Sequence, residues 1–204
     1  MKTILTFLIL VFWSVQFNAQ EINFEHIGAS NGLSQISVLS IYQDELGYMW
    51  FGTREGLNRY DGQNIKLFQA TETDKNGLPS NVINKICGDD NGTLYLLSGY
   101  KHLVAYNKKT DQFSLINNKC QAVSQGEQNL WYAVDNTIFQ YDYISKTATK
   151  YYTLKRNYVV KNLFESSNGK LYIGTEQGLV MLDNNKIFNI IIPRKRLFIS
   201  TTIY

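Results

Sequence analysis

The stretch that decides the fold is residues 32–62, which read GLSQISVLSIYQDELGYMWFGTREGLNRYDG. A second stretch, residues 160–183, reads VKNLFESSNGKLYIGTEQGLVMLD and aligns with the first without a gap. The aligned positions share turn glycines, an aromatic residue, a strand glycine and a final acid. They pair Gly47, Trp50, Gly52, Thr53, Gly56, Leu57 and Asp61 with Gly169, Tyr172, Gly174, Thr175, Gly178, Leu179 and Asp183. The chain therefore contains an internal repeat.

Two more copies lie between these stretches, with Tyr95 and Trp131 at the aromatic position. The four aromatic positions are 45, 36 and 41 residues apart. An irregular period of about 40 residues is typical of β-propeller blades. We expect the recurring aromatic residues to fill the space between blades, and the strand glycines Gly52 and Gly174 to permit close approach of neighbouring sheets.

Each copy also has the pattern of four short strands separated by turn residues. In the first copy we expect strands at 38–42, 48–52, 57–60 and 65–68. The whole chain has 14 Tyr and 14 Gly against 2 Pro, a composition that favours aromatic strands and glycine turns. The sequence therefore predicts an all-β fold, a partial β-propeller of about four four-stranded antiparallel blades.

These patterns divide the chain into seven predicted segments. They are a signal peptide at 1–19, an N-terminal strand region at 20–31, blades at 32–69, 77–116, 120–153 and 158–189, and an irregular tail at 190–204. We interpret the strand-like residues 22–27 as a strand that would close the ring in a longer parent protein.

The first segment has the features of an export signal. Lys2 precedes an apolar run, and Ala19 is the small residue expected before a cleavage site. The run from Thr3 to Phe17 is shorter than the roughly 20 residues that cross a bilayer. An uncleaved membrane anchor is the alternative, because Phe17 is bulky for a cleavage region. We expect a mature chain beginning near Gln20 or Glu21, in the periplasm or otherwise outside the cytoplasm.

Charge and motif content narrow the function. The net charge is +3 and the basic residues are scattered, which argues against a nucleic-acid partner. No nucleophile elbow, zinc-protease, phosphate-loop or CxxC motif is present, and neither His26 nor His102 has metal-like spacing. We interpret the acidic pairs at 44–45 and 89–90 as hairpin-turn residues. We therefore expect no catalytic residue, no metal and no cofactor.

Two further residue types need an interpretation. We expect Cys87 and Cys120 to be small apolar residues of a sheet, with a disulfide between them as the alternative in an oxidising compartment. We expect Arg59, on the third strand of the first copy, to be a surface residue.

Ligand recognition remains, because propellers bind through the loops that join their strands. The turn between the second and third strands carries different charges in different copies, although the repeat residues on either side of it recur. The candidate ligand-binding residues in this turn are Arg54 and Glu55 in the first copy, Tyr100 and Lys101 in the second, and Glu176 and Gln177 in the fourth. Stacking and hydrogen bonds from such side chains suit a carbohydrate; the alternative is a plain solvated turn.

The quoted strings resemble the two-component regulator propeller repeat, which builds the exported sensor region of hybrid sensor histidine kinases in Bacteroidetes-type bacteria. The resemblance covers residues 28–188 and implies four blades of a seven-bladed ring, followed in complete members by a membrane helix and a kinase module. We find none of these later parts in this sequence, so the chain is expected to be a truncated form and not itself an enzyme.

The resemblance implies an exported ligand sensor for a glycan or another extracellular ligand. Its expected partners are that ligand, the remainder of the sensor protein and a second copy of the parent. One alternative is a structural or protein-binding propeller without a small ligand. A third hypothesis is a propeller polysaccharide lyase or hydrolase.

Overall fold

A computed structural model of the chain describes residues 24–71, 77–155, 158–184 and 186–190. These residues form four four-stranded sheets. The first sheet contains β1 (Ser40–Gln43), β2 (Met49–Gly52), β3 (Leu57–Tyr60) and β4 (Ile65–Phe68). The second contains β5 (Ile83–Gly88), β6 (Thr93–Ser98), β7 (His102–Asn107) and β8 (Gln112–Asn117). The third contains β9 (Ala122–Gln125), β10 (Asn129–Val134), β11 (Thr137–Asp142) and β12 (Ala148–Thr153). The fourth contains β13 (Val160–Glu165), β14 (Leu171–Thr175), β15 (Gly178–Asp183) and β16 (Lys186–Ile190).

Each sheet is an antiparallel meander in which strands pair in sequence order. The all-β prediction is confirmed, and the third and fourth strands of the first copy lie where the pattern placed them. One element differs, because residues 24–27 are not in a strand. They pair with none of the four sheets in the described part of the chain. Residues 22 and 23, the predicted signal peptide and the tail from 191 onward lie outside the described residues.

The four sheets fan about a common line, because β1, β5, β9 and β13 contact one another in that order. Apolar side chains fill the three spaces between neighbouring sheets. Between the first two lie Trp50, Leu57, Phe68, Ile83, Ile86, Leu94, Leu96, Val104 and Tyr106. Between the second and third lie Cys87, Tyr95, Leu97, Leu103, Cys120, Val123, Leu130, Tyr132 and Tyr141. Between the third and fourth lie Trp131, Ala133, Ile138, Leu163, Leu171, Ile173, Val180 and Leu182. The recurring aromatic residue of each of the first three sheets therefore packs against the next sheet.

Gly52 allows the first two sheets to approach closely. A Cβ atom at Gly52 would lie 2.7 Å from the carbonyl oxygen of Ile83, at the start of the second sheet. That separation is too short for any other residue. A Cβ atom at Gly174 would meet only Asn162, at 3.6 Å, within its own sheet. The close approach predicted at both glycines is thus present at Gly52 and absent at Gly174 among the described residues.

The two cysteines are free and buried. Cys87 lies in β5, whereas Cys120 lies just before β9 and not within a strand. Burial raises the pKa of the Cys87 thiol to about 11 and that of Cys120 to about 12. Both thiols therefore stay protonated at neutral pH and are poor nucleophiles.

The outer face of the first sheet is covered by the segment that precedes it. A one-turn 3₁₀ helix at Ala29–Asn31 carries this segment across the sheet. Leu33, only 6% exposed, packs there with Phe51 and Tyr60, and Ile27 lies against the same cluster. This short helix is the only one among the described residues, and none of them forms a helix able to cross a bilayer.

On the fourth sheet, the face that carries Tyr172 is open, and this face corresponds to the Trp50 face of the first sheet. Strand register aligns Phe164, Tyr172, Met181 and Phe188 in one row across all four strands. Phe164 is 62% exposed and Phe188 is 45% exposed. In the earlier sheets the residues at the position of Tyr172 are buried: Trp50 is 0%, Tyr95 1% and Trp131 4% exposed. The fourth sheet thus presents an apolar row that no described residue covers.

A mostly buried ion pair joins the first two sheets. Asp44, in the β1–β2 turn, accepts hydrogen bonds from Trp50 Nε1 at 2.8 Å and from Lys108 Nζ at 2.9 Å. Lys108 lies in the β7–β8 turn, and its Nζ atom also lies 2.6 Å from Glu45 Oε2. Burial alone would raise the pKa of the Asp44 carboxyl. The hydrogen bonds from Lys108 and Trp50 outweigh burial, so this pKa lies below its ordinary value of 3.8.

The ion pair predicts how stability depends on pH. A carboxyl group whose pKa is depressed by folding contributes stability above its unfolded pKa, and that contribution is lost as pH falls through the folded value. The free energy of unfolding should therefore fall as pH drops below about 4. The variant Lys108→Met should lose part of this dependence, because only Trp50 and backbone N–H groups then oppose the effect of burial on the Asp44 pKa. Urea unfolding between neutral pH and about pH 2 measures both effects.

A matched control uses Lys161→Met. Lys161 pairs with Glu176 at 2.7 Å, but both side chains are more than half exposed, so the pair should contribute little. If the free energy of unfolding of Lys108→Met falls as steeply at acid pH as that of the unmodified chain, the Asp44–Lys108 pair is not the source of this pH dependence.

Candidate functional site

The turns between the second and third strands of the four sheets lie at one edge of the molecule. The first strands of neighbouring sheets lie side by side, and each sheet repeats the same meander. Two backbone hydrogen bonds tie these turns to the next sheet: Ile83 N donates to Thr53 O, and Cys120 N donates to Lys101 O, both at 2.8 Å. We call the turns at 53–56, 99–101, 135–136 and 175–178 the second-turn edge.

A buried polar network holds the turn of the first sheet. Thr53 and Asn58 are fully buried. Asn58 Nδ2 donates to Ser34 Oγ at 2.9 Å, and Ser34 Oγ lies 3.0 Å from Thr53 Oγ1. The backbone of Arg54 and Glu55 is fixed by this network, while both side chains are exposed. Rigid backbone with free charged side chains is the arrangement that a binding loop needs.

The turn of the second sheet presents an aromatic ring. Tyr100 has a φ of 64° and a side chain that is 61% exposed. Its N–H donates to Asn84 Oδ1 at 3.0 Å, which holds the turn against the start of β5. The neighbouring Lys101 is also exposed. An exposed ring beside a cation can stack on a sugar ring and bind its hydroxyl groups.

In the turn of the fourth sheet, both candidate side chains already contact other residues of the protein. Glu176 pairs with Lys161 at 2.7 Å, and Gln177 Oε1 accepts from Val159 N at 3.0 Å. Gln177 therefore has its amide nitrogen, but not its oxygen, free for a ligand. Of the six candidate residues, the structure leaves the side chains of Arg54, Glu55, Tyr100 and Lys101 without such a partner among the described residues.

The third sheet contributes a turn that the sequence comparison overlooked. Asp135 has a φ of 53° and is exposed, and Asn136 Nδ2 donates to Leu154 O at 2.6 Å. The signal was available, since an Asp-Asn pair between two apolar strands is a typical hairpin turn. The degenerate third copy hid it, because Ala133 replaces the strand glycine there.

The second-turn edge therefore combines cations, acids and one aromatic ring on a fixed frame. Its exposed charges are Arg54, Lys101, Glu55, Asp135 and Glu176. Within the described ranges no three metal-ligating side chains lie together. Such a surface can bind a polar, hydroxylated ligand by stacking and hydrogen bonds.

Four meander sheets fanned about a line define this chain as a portion of a β-propeller. The family model of the two-component regulator propeller matches residues 32–55. The resemblance noted from the quoted strings is confirmed.

Known proteins that are similar to this chain include a histidine kinase and the extracellular domain of a two-component system. Histidine kinase P4 of Formosa agariphila is 38% identical over 69 residues, which cover 33% of this chain and 5% of that protein. The extracellular domain assigned to the hybrid two-component system BT3049 of B. thetaiotaomicron is 26% identical, with a TM-score of 0.69 over 82% of this chain. The present chain covers 26% of that solved domain. The chain thus spans only a small part of the relatives that it matches.

A streptogramin B lyase structure also superposes, with a TM-score of 0.63 and 15% identity over 79% of this chain and 57% of that chain. At that identity the likeness shows the propeller fold alone.

Proposed function

We propose that this chain is the ligand-sensing propeller portion of a two-component sensor and that it acts outside the cytoplasm. The observation that carries the proposal is the likeness to the extracellular domain assigned to the BT3049 system, at 26% identity over 82% of this chain. The repeat matched at residues 32–55 and the kinase relative support the same assignment. The signalling module itself would belong to the remainder of the sensor.

We further propose that the ligand is a glycan and that it binds at the second-turn edge. Tyr100 supplies an exposed ring, and the nearby turns supply both signs of charge. Sugars bind through such a combination, because their ring faces stack on aromatic rings while their hydroxyl groups need donors and acceptors. The buried Thr53–Asn58 network keeps the backbone of the edge in place without using the charged side chains.

The test is binding of the chain to an array of plant and algal oligosaccharides. The double variant Tyr100→Asn, Lys101→Gln should weaken the binding of any retained glycan by about 10-fold or more, the usual effect of losing a charged hydrogen bond. Asn is chosen at position 100 because it tolerates a positive φ.

A control on the opposite edge is the double variant Ile144→Asn, Lys146→Gln. Both residues lie in the β11–β12 turn, Ile144 is 93% exposed, and Lys146 has a φ of 54°. This variant should bind the glycan like the unmodified chain. Equal weakening by both double variants, or glycan binding that survives the change at Tyr100 and Lys101, would contradict the proposed site. Retention of no glycan would contradict the proposed ligand class.

A further inference from the structure

At the edge opposite the second-turn edge lie the turns between the first and second strands, which carry acidic residues in the first two sheets. Between the first two sheets, a single carboxylate oxygen of Asp44 accepts both Trp50 Nε1 and Lys108 Nζ. Glu45, the next residue, contacts the same ammonium group at 2.6 Å. Two carboxylates, an indole N–H and an ammonium group thus form one cluster.

Between the second and third sheets, the positions equivalent to Asp44, Trp50 and Lys108 carry Asp89, Tyr95 and Tyr143. Asp89 lies in the turn, 3.5 Å from the hydroxyl of Tyr95. Tyr143 stands where Lys108 stands in the second sheet, and its ring lies 5.4 Å from that of Tyr95. The position after the third strand therefore reaches back to the preceding sheet in both cases.

Between the third and fourth sheets the turn acid is absent. Gly126 takes the place of Asp44, since Gly126 N donates to Asn129 O at 2.8 Å much as Asp44 N donates to Tyr48 O at 3.0 Å. Trp131 is only 4% exposed, and its Nε1 atom is buried with no hydrogen-bond partner among the described residues. A Cβ atom at Gly126 would lie 2.8 Å from this Nε1 atom. The unpaired N–H group therefore lies beside the position that a side chain at Gly126 would occupy.

A carboxylate from the fourth sheet comes to the same spot. A side chain at Gly126 would overlap Glu165 Oε2, so the carboxylate of Glu165 occupies the place of the missing acid. Glu165 Oε2 also accepts from Glu127 N at 3.2 Å, as Asp44 accepts from the backbone of its own turn. Glu127 in turn follows Gly126 as Glu45 follows Asp44. The pair of carboxylates is thus rebuilt from two sheets.

Among the described residues, the fourth sheet supplies no cation to this pair. The turn that carries Lys108 has four residues between its strands, whereas only two residues separate β15 and β16. Asn184 in that short turn donates to Asp183 and is exposed. A cavity of about 450 Å³ opens here, lined by Gln125, Gly126, Glu127, Glu165, Ser166 and Ser167. Its lining contains two carboxylates and no cationic side chain.

We propose that this Gly126 cavity binds the primary ammonium group of a small ligand, in the position that Lys108 Nζ fills between the first two sheets. Glu165 accepts from the ammonium group, as Asp44 does from Lys108, and the buried Trp131 Nε1 atom lies beside the same position. Glu127 contacts the ammonium group from the rim, and Ser166 and Ser167 face the rest of the ligand. The site lies away from the second-turn edge and is independent of the proposed glycan.

The experiment measures binding to the full chain tethered by a terminal biotin tag at low surface density, which keeps copies apart. The probes are glucosamine, N-acetylglucosamine and methylamine. Glucosamine and methylamine should bind, whereas N-acetylglucosamine, which has the same ring without the charge, should not. Glu165→Gln should weaken glucosamine binding by about 10-fold or more. Glu127→Gln should weaken it less, because Glu127 is exposed.

The matched control is Glu25→Gln, an exposed glutamate that precedes the first sheet, which should leave binding unchanged. Thermal unfolding monitored by circular dichroism establishes that each variant is folded. Equal binding of glucosamine and N-acetylglucosamine, no binding of either amine at millimolar concentration, or full binding by folded Glu165→Gln would each overturn the proposal. Loss of glycan binding at Tyr100 would not affect it, so the two proposals can fail separately.

Discussion

The double variant Tyr172→Glu, Met181→Glu is expected to convert a self-associating chain into a soluble monomer. These residues lie at the centre of the open row on the fourth sheet, with Phe164 and Phe188 on either side. In each earlier sheet the corresponding face is covered by the next sheet. Burying one such side chain is worth about 1.5–3 kcal/mol, so two copies gain by covering the row. Exposed strand edges add to this tendency.

Size-exclusion chromatography with light scattering measures the effect. The unmodified chain should elute as aggregates or oligomers at micromolar concentration, and the double variant should require at least a tenfold higher concentration to associate. The control carries Leu46→Glu and Ile144→Glu, two residues that are 69% and 93% exposed in separate turns. It should associate like the unmodified chain. A monodisperse unmodified monomer would contradict the interpretation of the open row.

The second large effect is expected from the repeat aromatics. Trp50→Ala should lower the free energy of unfolding by about 3–5 kcal/mol, because a fully buried indole is lost and a cavity remains. The same substitution at Trp131 should cost a similar amount. Tyr172→Ala should cost about 1 kcal/mol or less, since that ring is only half-buried. The three positions are equivalent in the repeat and differ in whether a following sheet covers them.

Urea unfolding followed by circular dichroism compares these variants without relying on tryptophan fluorescence. Tyr95→Ala extends the series, because Tyr95 is 1% exposed between the second and third sheets. Equal losses at Tyr172 and Trp50 would mean that the fourth sheet is covered as the first is. Small losses at all four positions would mean that these aromatic residues do not lie between sheets.

Much of the fold could be predicted because its signals are local. Turn glycines, alternating strands and one aromatic residue per copy repeat within short windows, and strands β3 and β4 begin and end where the pattern placed them. The covering of the first sheet was not predictable in this way. Leu33 and Ile27 pack on Phe51 and Tyr60 through contacts between residues that are distant in the sequence. The pattern at 22–27 favours a strand, but residues 24–27 pair with no strand among the described residues.

The sites were predicted less completely, since they depend on contacts between distant residues. Asp44 and Glu45 were interpreted as turn residues, and Asp44 does accept from its own turn at Leu46 N. Its ion pair with Lys108 spans 64 residues and leaves no local pattern. The prediction that Arg59 lies on the surface was wrong, because its guanidinium lies 4.7 Å from the centre of the Tyr48 ring and the residue is half-buried.

The most direct test of the fanned arrangement is zero-length carbodiimide cross-linking of the intact chain, read by mass spectrometry of its peptides. Lys108 should link to Glu45 and Lys66 to Asp111, pairs that lie 2.6 Å and 2.9 Å apart on neighbouring sheets. Lys161 should link to Glu176, 2.7 Å away within one sheet, and serves as the internal standard. If the Lys161–Glu176 link forms while both links between sheets are missing, the first two sheets do not pack face to face. That result would contradict the propeller interpretation.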